Sequence, residues 1–349
     1  MRGNRVSALL LILAGANVAA WAWAFYLFGK QPVLLGTAVL AYSLGLRHAV
    51  DADHIAAIDN VTRKLVHAGK RPVSVGLFFA MGHSAVVVIA AASFAGTTTA
   101  LAVQSEGLRS IGGTVGTLVS ALFLFALAAM NFLILRGVWQ TFRHVQRGGA
   151  YVDGDLDLLL SKRGIMARLF RPLFSLVTRT WHMFPLGFLF GLGFETATEV
   201  SLLGLSAAAA QRTGSIGVVL VFPALFAAGM MLIDSTDGLL MLGAYDWAFV
   251  KPMRKLYYNL TITSISIAVA VLIGGIEALG LIEDRIRGAG WFWSAVERLN
   301  GDFNSLGFVV IAVFIIAWAG SVLFYQLSGL DSKTDSTLPH NYRTRRTPI

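Results

Sequence analysis

Residues 33–60 read VLLGTAVLAYSLGLRHAVDADHIAAIDN, and that run decides the architecture. Val33 to Leu46 carry no charge, and then Arg47, His48, Asp51, Asp53 and His54 follow within eight positions. As a helix the run is about 42 Å long, more than the roughly 30 Å of a bilayer's hydrocarbon core. A charged side chain at that depth costs at least about 2.5–3.5 kcal/mol on insertion scales, so one that is kept there marks function. A membrane strand would instead alternate over about 10 residues.

The rest of the chain agrees with this reading. Of its 349 residues 56% are hydrophobic and only 13% are charged, against about 45–50% and about 25% in soluble domains. That composition excludes a soluble enzyme, a nucleic-acid binder and a disordered protein. Seven further apolar runs flank the first, giving eight expected spans: Val6–Phe28, Val33–Asn60, Val73–Ala95, Thr114–Leu135, Met183–Ser206, Ile216–Gly243, Leu260–Ile282 and Leu306–Leu327. The expected fold is therefore an all-α integral membrane protein of eight transmembrane helices. The first apolar run is longer than a signal-peptide core and has no clear cleavage site, so it is read as a retained helix.

Orientation follows from the basic residues. The N-terminus, residues 63–71, 136–179 and 251–255, and the tail together hold 21 Lys and Arg, and the intervening loops hold 6. Basic loops stay inside, so both termini are expected in the cytoplasm and the protein in the cytoplasmic membrane. The net charge of +9 is explained in the same way, without a nucleic-acid partner. Residues 1–330 form the expected transport unit. Within it, 136–182 is a basic cytoplasmic connector with an amphipathic stretch at Ile165–Val177, and 331–349 is a polar, disordered tail. Trp21, Trp23, Trp291 and Trp293 near span ends suit interfacial anchors. With no cysteine, neither disulfides nor thiolate ligands enter.

Ionisable groups stand out in four spans. On a helical wheel with Arg47 at 0°, Asp51 falls at about 40°, His54 at about 340° and His48 at about 100°, so these four share a face, while Asp53 falls near 240°. Asp53 then acts on a ligand or becomes one through local unwinding. His83 lies near the middle of the third span. Glu195 and Glu199 are spaced i, i+4 in the fifth span, and Asp234 and Asp237 i, i+3 in the sixth, with no basic residue beside either pair. Arg47 is the only fixed positive charge in the set, so protons or a bound cation must balance the acids. Nitrogen and oxygen donors without sulfur suit Ni²⁺, Co²⁺, Zn²⁺ or Mn²⁺, and imidazole argues against Mg²⁺ and Ca²⁺.

At these residues the chain resembles the nickel/cobalt transporter family of secondary permeases. Arg47–Ile55 match the family's second-helix hallmark, Arg-His-Ala-x-Asp-Ala-Asp-His-Ile, in full. Phe79–Val86, Leu192–Glu199 and Gly229–Asp237 match three further signatures in order. Three positions depart from the pattern: Glu195 stands for the usual Asp, Ala85 for Thr after Gly-His-Ser84, and Ser235 for Thr. The resemblance implies that His48, Asp53 and His54 capture metal with Asp51 beside them. It further implies that His83, Glu195, Glu199, Asp234 and Asp237 line the path. Asn131 matches a recurring family asparagine and is otherwise read as a hydrogen-bonding contact between helices.

The expected activity is import of Ni²⁺ or Co²⁺, transported as substrate and not held as a cofactor. Spans two to four and five to seven are read as an inverted three-helix repeat, with Leu44-Gly-Leu set against Leu192-Gly-Phe. No phosphate-binding loop and no ATPase partner are visible in the chain. The rival readings are an exporter of related fold, a Mn²⁺ or Zn²⁺ transporter, and a membrane-embedded metalloenzyme. Such exporters commonly carry a His-rich loop, and here the long connector offers only His144, with His182 at its edge. The metalloenzyme would need more histidines, and closer together, than these dispersed seven.

Overall fold

The computed structural model describes residues 2–95, 99–147, 177–192, 202, 204–206, 215–248, 252–286, 288 and 290–327. Among them there is no strand. The helices are α1 (Arg2–Phe28), α2 (Pro32–His48), α3 (Ala52–His67), α4 (Val75–Ala95), α5 (Thr99–Gln146), α6 (Met183–Gly191), α7 (Ile216–Ala248), α8 (Pro252–Ile286), α9 (Trp291–Gly301) and α10 (Phe303–Leu327). Five of them (α1, α4, α5, α7 and α8) are long and apolar enough to cross a membrane, and two bent pairs, α2–α3 and α9–α10, raise the number to as many as seven. The protein is thus an all-helical, multi-pass membrane protein. The Ile165–Val177 stretch lies almost wholly outside the described residues, the tail after Leu330 entirely so, and the fifth expected span is described only in part.

Three elements differ from expectation. The run 33–60 is not one helix: α2 stops at His48, α3 starts at Ala52, and their axes meet at 53°. Between them Ala49 and Val50 donate back to the carbonyls of Gly45 and Arg47, the Asp51 N–H bonds to the His48 carbonyl, and Asp51 itself is extended at φ −62°, ψ 144°. Asp51 holds the N-cap position of α3 but its carboxylate does not cap the helix. Elsewhere α5 is one helix of 48 residues, running past both ends of the expected fourth span and into the expected connector. Trp291–Gly301, expected to supply only anchors, is helical, and Trp291 and Phe292 are exposed on it.

The core lies where α3, α4 and α7 meet. Phe28, Phe222 and Phe226 pack among α1, α2, α4 and α7; Ile58, Phe79, Met130 and Phe190 pack among α3, α4, α5 and α6. Ile55, Leu124, Ile273 and Phe314 join α3, α5, α8 and α10. Outward, Leu11, Ile12, Leu272, Ile315 and Ile316 are exposed, an apolar surface suited to hydrocarbon.

Two helix pairs share one contact pattern. Gly45 of α2 lies against the Phe226 backbone of α7, while Gly229 of α7 lies against the Tyr42 backbone. Gly187 of α6 meets the Phe79 backbone of α4, while Gly82 of α4 meets Phe184. A Cβ at any of the four would collide with the facing main chain. Small residues are what let membrane helices approach so closely.

Candidate metal centre

The break after His48 creates the site. It turns α3 so that His48, at the end of α2, and His54, in the first turn of α3, face His83 of α4. Each of the three offers one nitrogen within 4.8 Å of the others, and all are buried, at 2%, 0% and 3% exposure. His48 Nε2 and His83 Nε2 are 2.9 Å apart. The three ring centroids stand 4.7–4.8 Å from one another. Nitrogens bound to one tetrahedral ion at about 2.0–2.1 Å are roughly 3.3–3.5 Å apart, inside the span seen here.

Carboxylates fix two of the rings. His48 Nδ1 is 2.7 Å from Asp51 Oδ2, so the free carboxylate of the helix break orients His48 instead of capping α3. His54 Nδ1 is 3.4 Å from Asp234 Oδ1 of α7. A carboxylate accepting from Nδ1–H leaves the lone pair on Nε2, the usual arrangement behind a metal-binding histidine. His54 Nε2 is buried and has no hydrogen-bond partner among the described residues. Buried polar atoms are nearly always satisfied, so a nitrogen without a partner, set between two other imidazoles, is chemically able to take a ligand.

The other expected site residues divide into three groups. Asp53 is half-buried in the first turn of α3, in electrostatic reach of His48 and His54. Ser84 is buried next to His83, and one turn beyond Asp234 on α7 is Asp237, with one buried carboxyl oxygen that has no partner among the described residues. Arg47 is exposed at the surface of α2 and Asn131 is far enough along α5 to bond Asn60 instead of any histidine. Glu195 and Glu199 lie outside the described residues.

Sequence reasoning missed a second buried polar group. Asp59, Asn60 and Arg63 of α3 are fully buried, with Tyr245 of α7 and Ser266 of α8 donating to Asp59. Among the described residues the fully buried guanidinium is therefore Arg63, which a count of basic loops assigns to the cytoplasm, and not Arg47. Glu277 was missed as well, although it lies well inside the seventh apolar run; it is buried between α8 and α5 and accepts from Ser120 at 2.8 Å. An acid at that depth was itself a readable signal.

Comparison with known proteins bears on what such a pocket holds. Residues 34–324 match a family described as high-affinity nickel-transport protein. The chain is 55% identical to a high-affinity nickel transport protein of Cupriavidus necator over 94% of its own length and 93% of that protein's. It is 55% identical to the hydrogenase nickel incorporation protein HupN of Bradyrhizobium diazoefficiens, covering 90% and 82%. It is 44% identical to the cobalt transport protein NhlF of Rhodococcus rhodochrous, covering 84% of each. No solved structure matches the chain.

Proposed function

The chain belongs to the high-affinity nickel-transport protein family, and on that premise we propose that it carries Ni²⁺ or Co²⁺ through the membrane into the cytoplasm. It is a permease and not an enzyme, and the metal is its substrate. The observation that carries the reading is the convergence of His48, His54 and His83 on one buried point, with Asp51 and Asp234 behind two of the rings.

In this reading the ion is held by Nε2 of the three imidazoles. Asp51 and Asp234 keep the rings turned inward, Asp53 and Asp237 add negative charge, and Glu195 and Glu199 extend the acidic path. Three neutral nitrogen donors favour borderline ions over the Mg²⁺ that outnumbers them in cells. The membrane potential supplies about 4.6 kcal/mol per 100 mV for a divalent ion moving inward.

The finer architecture belongs to the same proposal: eight spans, cytoplasmic termini in the cytoplasmic membrane, residues 1–330 as the transport unit, 136–182 as connector and 331–349 as tail. An inverted repeat is supported by the paired glycine contacts, since α2 meets α7 as α6 meets α4. Phe79-Ala-Met-Gly82 and Phe226-Ala-Ala-Gly229 then correspond, and Gly45 corresponds to Gly187, a register different from the one that sets Leu44 against Leu192. Transporters of this build place substrate between the repeats, where discontinuous helices meet. In this reading the α2–α3 break is the discontinuity that holds the substrate.

Uptake of radioactive nickel by cells expressing the protein is the test. His54→Ala should reduce it to the level of cells lacking the protein, and uptake unchanged in His54→Ala would overturn the assignment. Competition by Co²⁺, Zn²⁺ and Mn²⁺ in the same cells ranks the ions.

A further inference from the structure

The second buried cluster has the features of a second place for the ion. Asp59 lies five residues beyond His54 on α3, about 7.5 Å further along the helix toward the end read as cytoplasmic. It is fully buried and pinned between two helices: the Tyr245 hydroxyl donates to Oδ1 at 3.1 Å and the Ser266 hydroxyl to Oδ2 at 2.6 Å. Those bonds set its position and use two of about four lone-pair sites. On α7, Asp237 precedes Gly238, which sits next to Ile58 of α3, and one of its carboxyl oxygens is buried with no hydrogen-bond partner among the described residues.

Arg63 is the independent sign that this spot holds positive charge. It is 1% exposed, yet its Nη2 stops 4.0 Å from Asp59 Oδ2 and donates to Asn60 Oδ1 at 2.7 Å instead. Nε and Nη1 have no hydrogen-bond partner among the described residues. An Arg–carboxylate pair built for stability closes to about 2.7–2.9 Å, often through two parallel bonds. Here the guanidinium neutralises the acid without occupying its lone pairs.

We propose that Asp59 and Asp237 form an oxygen-only station for the divalent cation beyond the histidine cluster, with Arg63 as the counter-cation that holds the place between passages. The proposal rests on the three histidines being the capture site. Oxygen donors hold Ni²⁺ and Co²⁺ less tightly than imidazole does, so an ion that leaves the nitrogens meets a weaker site from which it can depart. Arg63, tethered to α3, repels an ion that lingers there.

Mn²⁺, which accepts all-oxygen coordination, is the probe. Free Mn²⁺ is followed by electron paramagnetic resonance in the purified full-length protein, and Ni²⁺ binding by calorimetry. The protein should show a weak Mn²⁺ site that survives in His83→Ala, which loses tight Ni²⁺ binding. Asp59→Asn should keep tight Ni²⁺ binding, lose the Mn²⁺ site and transport nickel at least about tenfold more slowly, one lost charge being worth that much or more at short range. Arg63→Gln should bind Mn²⁺ several-fold more tightly. Wild-type Mn²⁺ binding in Asp59→Asn overturns the station, as does loss of tight Ni²⁺ binding in that variant. If Asp59→Asn does not fold, Arg63→Gln decides alone, and unchanged or weaker Mn²⁺ binding there rejects the proposal. If instead wild-type protein binds no Ni²⁺ tightly and His83→Ala keeps its Mn²⁺ site, the capture-site reading fails while the station stands.

Discussion

The two polar regions of α3 are a turn and a half apart and are built on opposite principles. At its N-terminus, next to the helix break, imidazoles are held from behind by carboxylates, and His54 Nε2 has no hydrogen-bond partner among the described residues. Further along the unbroken helix, a carboxylate is held by hydroxyls and flanked by a guanidinium that does not close on it. The first arrangement concentrates nitrogen lone pairs on one point. The second spreads charge over oxygens and supplies its own cation. Burial alone does not tell the two apart; what does is which atoms each leaves unsatisfied, an imidazole nitrogen in the first and guanidinium N–H groups in the second.

The sharpest way to break this contrast is to remove a nitrogen. His54→Gln keeps most of the side-chain volume but cannot reproduce the imidazole, and tight Ni²⁺ binding to the purified protein should weaken at least about 100-fold. Calorimetry reads this directly, and a loss below about threefold would mean that the three rings are not the ligands.

Next come the carboxylates behind the rings. Asp234→Asn removes the charge that orients His54, and Asp51→Asn does the same for His48. Groups in that position are worth about 10- to 100-fold in metal affinity. The expected signature is a raised half-saturation concentration for nickel uptake with a smaller change in maximal rate. A ligand role for either acid would instead give losses as large as those of the histidine variants.

The histidines and Asp234 were legible because ionisable groups stand out against an apolar background. Their geometry was not. A wheel drawn through one continuous helix put Arg47 with Asp51 and His54, but the extended Asp51 breaks the phase, and Arg47 ends up exposed. Neither proline nor glycine marks that break in the sequence. Asp59 and Arg63 escaped for a different reason: they sit at the edge of the apolar run, and hydropathy does not separate a charge buried against protein from one in water. The helical class and the crowding of spans were readable from composition; the bend of α2–α3 and the length of α5 depend on tertiary contacts.

Acidification tests the nitrogen ligands themselves. Metal binds imidazole only in its neutral form, and imidazoles take up protons between about pH 5 and 8. Ni²⁺ affinity should therefore fall as pH drops from 7 to 6, by about tenfold for each proton the metal must displace, and level off above pH 8. Ni²⁺ affinity that stayed flat over that interval would mean that no imidazole binds the ion.

The smallest expected effect concerns Asn131, which resembles a family site residue but contacts the second region. Its amide donates to Asn60 Oδ1, the atom that also accepts from Arg63, and it reaches none of the three histidines. Asn131→Ala removes a hydrogen bond between helices α5 and α3, and such bonds inside membrane proteins average about 0.6 kcal/mol. The melting temperature in detergent should fall slightly, and Ni²⁺ affinity should change by less than about threefold, as befits a contact outside the coordination sphere. Mn²⁺ binding should respond more than Ni²⁺ binding, because freeing Asn60 changes where Arg63 rests. The reverse order, with nickel more affected than manganese, would join Asn131 to the histidine cluster and merge the two regions into one.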